Sequence, residues 1–174
     1  MYLQARKYVR GYNVSIKKSN EYQGYCKDWQ DGAVKNVSYL IVETGYWRKA
    51  NAIHKWFVDN VQDGEDDCKE YYVDESKLKE LLDVVNKVLD ASKLVSWKVN
   101  NGYSFKDGQK IPIVEDGKFI EDSTVAHELL PTAEGFFFGN TDYNEYYYDD
   151  LVSTKKIIEE ALQSRDSHYY HSSW

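Results

Sequence analysis

The 174-residue chain is poor in the residues that staple or interrupt a fold. It contains two cysteines, Cys26 and Cys68, and two prolines, Pro112 and Pro131. Two cysteines cannot build a disulfide scaffold or, by themselves, a four-ligand zinc site. A reduced compartment is the simpler interpretation, and a single Cys26–Cys68 bridge is the alternative. A chain of this length typically forms one domain, which buries about 70% of its unfolded surface without staples.

Long apolar runs are also missing. No segment approaches the roughly 20 apolar residues of a membrane-spanning helix. The opening MYLQARKYVRGY has a polar residue at every second or third position, which is unlike a signal peptide. We therefore expect a soluble protein without a membrane partner.

Basic side chains are in deficit. The chain has 22 Lys and Arg against 29 Asp and Glu, a formal net charge of −7. Generic binding to a nucleic-acid backbone needs a basic face, so no direct nucleic-acid partner is expected. Two classes of function remain: a small-molecule site, or an acidic surface that docks on a basic protein.

Aromatic residues, by contrast, are abundant, with 16 Tyr, 5 Trp and 6 Phe. Tyrosine combines a rigid apolar ring with a polar tip, so it suits cores, interfaces and stacking pockets alike. Composition alone does not choose among these uses.

The hydrophobic pattern predicts strands at YLQARKYV and VKNVSYLIVE, with a loop from Ser19 to Gly32 between them. From Val95 to Ile120 it predicts two or three short strands joined by hairpins. The expected turn pairs are Asn101-Gly102, Asp107-Gly108 and Asp116-Gly117.

Three helices are predicted. The segment from Asp74 to Ser92 has apolar residues at helical spacing, with Asp74 as its N-cap. A second helix runs from about Tyr143 to Gln163, where Asp142 and Glu145 have capping-box spacing. The third, Gly45 to Val61, has an apolar stripe at Tyr46, Ala50, Ile53, Phe57 and Val61.

These elements predict an α+β fold in which a small, mostly antiparallel sheet carries about three helices on one face. Residues 1–163 are expected to form a single globular domain. The tail, residues 164–174, lacks periodicity and is expected to be frayed.

The Gly45–Val61 helix is the leading candidate for a binding site. Its spacing places Arg48, Asn51 and Lys55 on one face, with His54 on the adjoining edge. A guanidinium grips phosphate or carboxylate in bidentate fashion, and aromatic rings stack on a base or a sugar. The predicted ligand-binding residues are Trp47, Arg48, Asn51, His54, Lys55, Tyr143 and Tyr147. The alternative is a solvated basic face above an ordinary core stripe.

A second candidate is the segment from Leu129 to Leu151. Gly135 and Gly139 bracket Phe136–Phe138, so an aromatic strand, a turn and a capped helix follow one another. That sequence of elements can form an anion site through free backbone amides and the helix dipole. The alternative is a buried phenylalanine strand followed by an ordinary capped helix.

Other chemistry has weak support in the sequence. The four histidines, His54, His127, His168 and His171, show no ligand spacing inside a convincing helix. The acidic run Asp63–Asp67 lacks the alternating ligands of a calcium-binding loop. No G-x-S-x-G nucleophile motif occurs. We therefore expect no metal, no cofactor and no catalytic residue, although His127-Glu128 could act as an acid–base pair.

Three segments resemble an uncharacterised family of small proteins encoded mainly by bacteriophages. They are MYLQARKYV, GYWRKANAIHKWFVDNVQDGEDDC and LLPTAEGFFFGNTDYNEYYYDDL, about half of the chain. The resemblance implies expression in the cytoplasm of an infected bacterium, and it implies no reaction. By analogy of gene context, such proteins serve host takeover or counter-defence, either by binding a host protein or by capturing a nucleotide signal.

The leading hypothesis is a non-catalytic phage protein that binds a nucleotide-like anion between the Tyr46–Lys55 helix and the Phe136–Tyr148 segment. One alternative is an inhibitor whose acidic runs Asp63–Asp67, Glu115–Asp122 and Asp142–Asp150 occupy a basic groove of a host nuclease or defence protein. Another is a nucleotide or phosphodiester hydrolase with His54 or His127 as general base.

The predicted Gly45–Val61 helix is expected to bury one face and to present the other to the pocket. Ile53, Phe57 and Val61 are predicted to be buried, with Trp47 half-buried at the pocket rim. Replacing Phe57 by alanine should cost about 3–5 kcal/mol of stability. Arg48→Ala should weaken binding and leave folding nearly unchanged.

Overall fold

The computed structural model describes residues 1–8, 14–16, 32–34, 39–135 and 140–173. The central sheet in this part of the chain has four strands: β1 (Tyr2–Tyr8), β4 (Tyr39–Tyr46), β5 (Tyr71–Val73) and β8 (Ser167–His171). They are antiparallel and lie in the order β4-β1-β8-β5. Two short strands, β2 (Val14–Ile16) and β3 (Gly32–Val34), pair separately.

The four helices in the described residues are α1 (Asn51–Val61), α2 (Glu75–Ala91), α3 (Thr124–Leu129) and α4 (Glu145–Gln163). Helices α1, α2 and α4 contact one another and share a hydrophobic core with one side of the central sheet. Leu3 and Tyr170 from the sheet meet Phe57, Leu81 and Ile158 from the helices in that core. The predicted α+β class is confirmed.

Helix α2 forms as its sequence predicts. Leu78, Leu81, Val85 and Val88 are buried at helical spacing. The Asp74 carboxylate accepts a hydrogen bond from the Ser76 backbone N–H at 2.8 Å, which identifies Asp74 as the N-cap.

Helix α4 begins two residues later than predicted, and its cap is a different residue. The Asn144 side chain accepts from the backbone N–H groups of Tyr146 and Tyr147. Asp142 and Glu145 therefore do not form the predicted capping box. An Asn side chain caps as well as an Asp side chain, so spacing alone could not decide between them.

The prediction of a helix over Gly45–Val61 is wrong in its first turn and a half. Gly45 and Tyr46 belong to β4 and pair with Leu3 and Tyr2, respectively. Lys49 has a φ of 63°, which no right-handed helix accommodates, and helix α1 starts at Asn51. Tyr46 is consequently exposed, whereas Ile53 and Phe57 are buried as predicted and Val61 is partly buried.

The region from Val95 to Ile120 is one long hairpin and not several short ones. Strand β6 (Leu94–Lys106) pairs with β7 (Gln109–Ile120) through a turn at Asp107-Gly108, where both φ angles are positive. Asn101-Gly102 lies at a bulge, and Asp116-Gly117 lies within β7.

Within the C-terminal tail, Ser167–His171 form an inner strand of the central sheet, so the expectation of a frayed tail is wrong for these residues. Strand β8 pairs with β1 on one side and β5 on the other. Tyr170 is fully buried, and its ring stacks on Phe57 with centroids 4.0 Å apart. The predicted Ser19–Gly32 loop, except for Gly32 in β3, lies outside the described residues, as does the predicted Phe136–Phe138 strand.

Candidate functional site

The connection from β4 to α1 leaves a helix N-terminus open. Ala50 stands at the N-cap position and has no side chain that could cap, and the first turn of α1 contains no acidic residue. The first intrahelical donor is His54 N, which bonds Ala50 O at 3.0 Å. The N–H groups of Asn51, Ala52 and Ile53 consequently lack intrahelical acceptors and carry the positive end of the helix dipole.

Two cations flank this helix end. Arg48 and Lys49 are exposed, and neither forms a hydrogen bond or ion pair with another residue in the described part of the chain. Lys49 is held in the left-handed region that non-glycine residues rarely adopt. The neighbouring charges and free amides together favour an anion at this position.

The Asn51 side chain joins α1 to Ala133 and Asn140, two residues that precede α4 in the chain. Its side-chain nitrogen donates to Asn140 O at 3.1 Å, and its side-chain oxygen accepts from Ala133 N at 3.2 Å. Thr132 Oγ1 donates to Thr141 O at 2.9 Å, which joins the two residues that flank Ala133 and Asn140. These bonds give Asn51 a structural role that its sequence position does not reveal.

The first turns of α4 form the floor. The Tyr147 hydroxyl donates to Leu130 O at 2.9 Å, and the Tyr143 ring packs edge-on against Tyr147 with centroids 4.9 Å apart. Burial raises the pKa of the Tyr147 hydroxyl, so this group stays protonated and holds the carbonyl.

A cavity of about 890 Å³ lies between these elements. Its basic wall consists of Arg48, Lys49 and the start of α1. Its acidic wall carries Glu134, Asp142, Asp149 and Asp150. Asparagine, threonine and tyrosine side chains line the remainder: Asn100, Tyr103, Thr132, Asn140, Thr141, Asn144 and Tyr146. The cavity lining therefore carries both basic and acidic side chains.

Asp150 is the most perturbed acid in this wall. Burial, together with the neighbouring Asp149 carboxylate, raises the pKa of Asp150 to about 7. At neutral pH a substantial fraction of this side chain is therefore protonated and can donate a hydrogen bond.

The structure corrects the predicted position of Trp47. Its side chain is 2% exposed and does not sit at the cavity rim. Its Nε1 donates to Thr154 Oγ1 at 2.8 Å, and Thr154 in turn donates to Asp150 O. Trp47 lies in the connection between β4 and α1, so the helical spacing that placed it on a helix edge does not apply.

His54 lies in the core and not in the cavity. It is 3% exposed, and its ring nitrogens contact the Tyr170 hydroxyl at 2.7 Å and the Asp66 carboxylate at 3.1 Å. A carboxylate oxygen accepts, which assigns the proton to Nε2 and makes Nδ1 the acceptor for the Tyr170 hydroxyl. Burial lowers the pKa of His54, and the hydrogen bond that its Nε2 donates to Asp66 opposes that shift.

The structure therefore brings only some of the seven predicted binding residues to the cavity. Arg48, Asn51 and Tyr147 line the cavity, whereas Tyr143 packs behind Tyr147. Lys55 bonds Asp59 one helical turn away, outside the cavity lining. Because Arg48 precedes α1, the predicted shared face of Arg48, Asn51 and Lys55 does not exist.

Sequence reasoning missed Lys49 and the acidic wall. Lys49 is next to Arg48, which the sequence analysis selected. In the predicted helix, however, Lys49 would have faced away from the site. Asp149 and Asp150 stood in an acidic run that was assigned to a docking surface.

Comparison with known proteins finds no family model, no curated protein and no solved structure that matches the chain. Within the described residues, no group of three or more His, Cys, Asp or Glu side chains could hold a metal ion. No helix in that part of the chain is long and apolar enough to cross a membrane.

Proposed function

We propose that this protein binds a nucleotide-like small anion in the cavity without transforming it. The observation that carries the proposal is the uncapped N-terminus of α1, which borders the cavity beside Arg48 and Lys49, two cations without a partner among the residues that the structure describes. A phosphate group placed there meets two cations and the positive helix dipole.

The acidic wall restricts what the ligand can be. Glu134, Asp142, Asp149 and Asp150 disfavour a second anionic group beside them. They suit sugar hydroxyls or amino groups, which donate hydrogen bonds to carboxylates. A mononucleotide with one anionic end and one hydroxyl-rich or amino-bearing end satisfies both walls.

Chemistry on the ligand is less well supported than binding. Among the described residues, no histidine lines the cavity. His54 has both ring nitrogens engaged in the core, and His127 lies on α3 beside Tyr143. A hydrolase mechanism with either residue as general base would require them to reach a ligand from outside this cavity.

The proposed biological setting is phage takeover of a bacterial host or counter-defence, in the host cytoplasm. It is supported by the resemblance of the three segments to phage-encoded proteins. Capture of a nucleotide signal would suit a binding cavity without a catalytic group. The rival acidic inhibitor has less free charge than its sequence suggests, because Asp67, Asp116 and Glu121 form ion pairs with lysines within the chain.

Calorimetric titration tests the proposal with AMP, cyclic AMP and the corresponding guanine nucleotides, with adenosine and inorganic phosphate as partial ligands. We expect saturable binding of at least one nucleotide, and weaker binding of its nucleoside. Arg48→Ala and Lys49→Ala should each weaken binding about tenfold or more.

Lys55→Ala is the matched control, since it also removes one positive charge from α1 or its approach but lies outside the cavity lining. It should leave the affinity unchanged. Absence of heat and of thermal stabilisation with every nucleotide would refute the proposal, as would equal losses in Arg48→Ala and Lys55→Ala. Recovery of a chemically altered ligand would show that the protein is an enzyme.

A further inference from the structure

The central sheet has a second side that the core does not cover. Along β1, Leu3 and Ala5 are buried, whereas Tyr2, Gln4 and Arg6 are partly exposed. Cross-strand register places further residues on the exposed side. We call this surface the open tyrosine face, which comprises Tyr2, Gln4, Arg6, Tyr8, Tyr39, Ile41, Glu43, Tyr46, Tyr72, Tyr169 and His171.

A cation already packs on rings of this face. The Arg6 guanidinium lies 3.8 Å from the centroid of the Tyr169 ring and 5.3 Å from that of Tyr39. Arg6 also pairs with Glu70 beside the face. The contact shows that these rings accept a guanidinium, which is attracted to the negative face of an aromatic ring.

Other rings of the face remain accessible. Tyr8, Tyr46 and Tyr72 are 57%, 49% and 56% exposed. A tyrosine can bury about 150–250 Å², so these three together offer roughly 250–400 Å². This exposed area is similar to that of the largest apolar patches on monomeric proteins, which are often functional. It is smaller than the roughly 800 Å² that each partner buries in a stable complex of two folded proteins. A narrow, extended partner segment fits this area.

Charge selects among narrow partners. Among the described residues that form the face, Arg6 is the only Lys or Arg and is already paired with Glu70, so these residues offer a phosphate backbone no free cation. Glu43 is exposed on the face, and the chain has a net charge of −7. A second copy would bring the same negative charge, whereas a basic segment is attracted by the long-range field and by the rings.

We propose that the open tyrosine face binds an extended basic segment of a partner protein, with its Lys or Arg side chains over Tyr46 and Tyr72 and an ion pair to Glu43. This inference rests on different residues from the cavity and stands independently of it.

The probe is a fluorescein-labelled decapeptide of alternating lysine and threonine, titrated by fluorescence anisotropy. We expect saturable binding that weakens as salt is raised. The double variant Tyr46→Thr/Tyr72→Thr should weaken it about tenfold, since threonine keeps strand propensity and removes both rings. Phe105→Thr is the control, because Phe105 is a 76% exposed aromatic residue on the separate β6–β7 hairpin.

A charge-matched pair separates this site from general attraction to an acidic protein. Glu43→Gln should weaken peptide binding, whereas Glu160→Gln, at an exposed position on α4, should not. Thermal unfolding of each variant confirms that it is folded. Equal effects of the two glutamine variants, tighter binding of a glutamate–threonine peptide or of oligothymidine, or self-association lost in the tyrosine variant would each overturn the proposal.

Discussion

The partly buried Asp150 side chain, which lines the cavity, makes the stability of the protein depend on pH. Its pKa is raised to about 7 by burial and by Asp149, against an ordinary value of 3.8. The folded state therefore prefers the protonated carboxyl. That contribution to stability is fully present below about pH 4 and is lost as the pH rises to 7.

Asp150→Asn should for this reason stabilise the protein at alkaline pH. At pH 8 we expect the variant to exceed the natural protein by roughly 1–3 kcal/mol in the free energy of unfolding, and at pH 4 to match it within about 0.5 kcal/mol. Urea unfolding at the two pH values measures both differences. The shifts of His54 and His168 are common to both proteins and cancel. A difference that does not change with pH would contradict this assignment.

The sequence predicts some of the residues that line the cavity, but it does not predict where each side chain lies. Arg48 was expected beside a pocket and lies there, because a charged residue next to a helix start has few buried alternatives. Trp47 was expected at the rim but is buried. Its partner Thr154 is 107 positions away, and no local pattern reports such a hydrogen bond.

At the scale of elements, the residue at which α1 starts is set by contacts with distant parts of the chain and not by the sequence of the helix itself. The apolar spacing from Tyr46 to Val61 is compatible with a helix throughout. Pairing of Gly45 with Leu3 instead extends β4 to Tyr46. Helix α2 was predicted well because its cap and its buried stripe are both local.

Gly45 is required for a close approach and not for an unusual backbone conformation. A Cβ at this position would overlap the Ile157 side chain of α4. Gly45→Ala should therefore destabilise the protein by about 1–3 kcal/mol, as overpacking in a core does. Urea unfolding gives the value.

A double-mutant cycle identifies the cause. Ile157→Ala in the Gly45→Ala background should recover part of the loss, so the two effects should not add. Additive effects, or a Gly45→Ala protein as stable as the natural one, would show that the close approach has no energetic consequence.

At the scale of the whole molecule, the last strand completes the central sheet. Strand β8 lies between β1 and β5, and Tyr170 reaches the core that α1 and α2 also form. The sequence of the tail has no period to reveal this, because its partners are near the opposite end of the chain and in the middle. The α+β class was predictable from element types, whereas strand order depends on such long-range pairing.

Truncation after Gln163 should consequently abolish cooperative folding. The deletion removes an inner strand and the stacked Phe57–Tyr170 pair. We expect loss of near-ultraviolet circular dichroism and of a cooperative thermal transition, whereas Arg165→Ala, an exposed change in the same tail, should retain both. A truncated protein with a native transition would show that β8 is dispensable.

The most direct test of the central claim is amide chemical-shift mapping of the isotopically labelled protein during titration with AMP. We expect saturable shifts of the backbone amides of Asn51, Ala52 and Ile53, together with residues of the acidic wall. The same titration of Arg48→Ala should give smaller shifts at equal ligand concentration. Saturable shifts confined to residues outside the cavity, or shifts at Asn51–Ile53 that persist undiminished in Arg48→Ala, would contradict it.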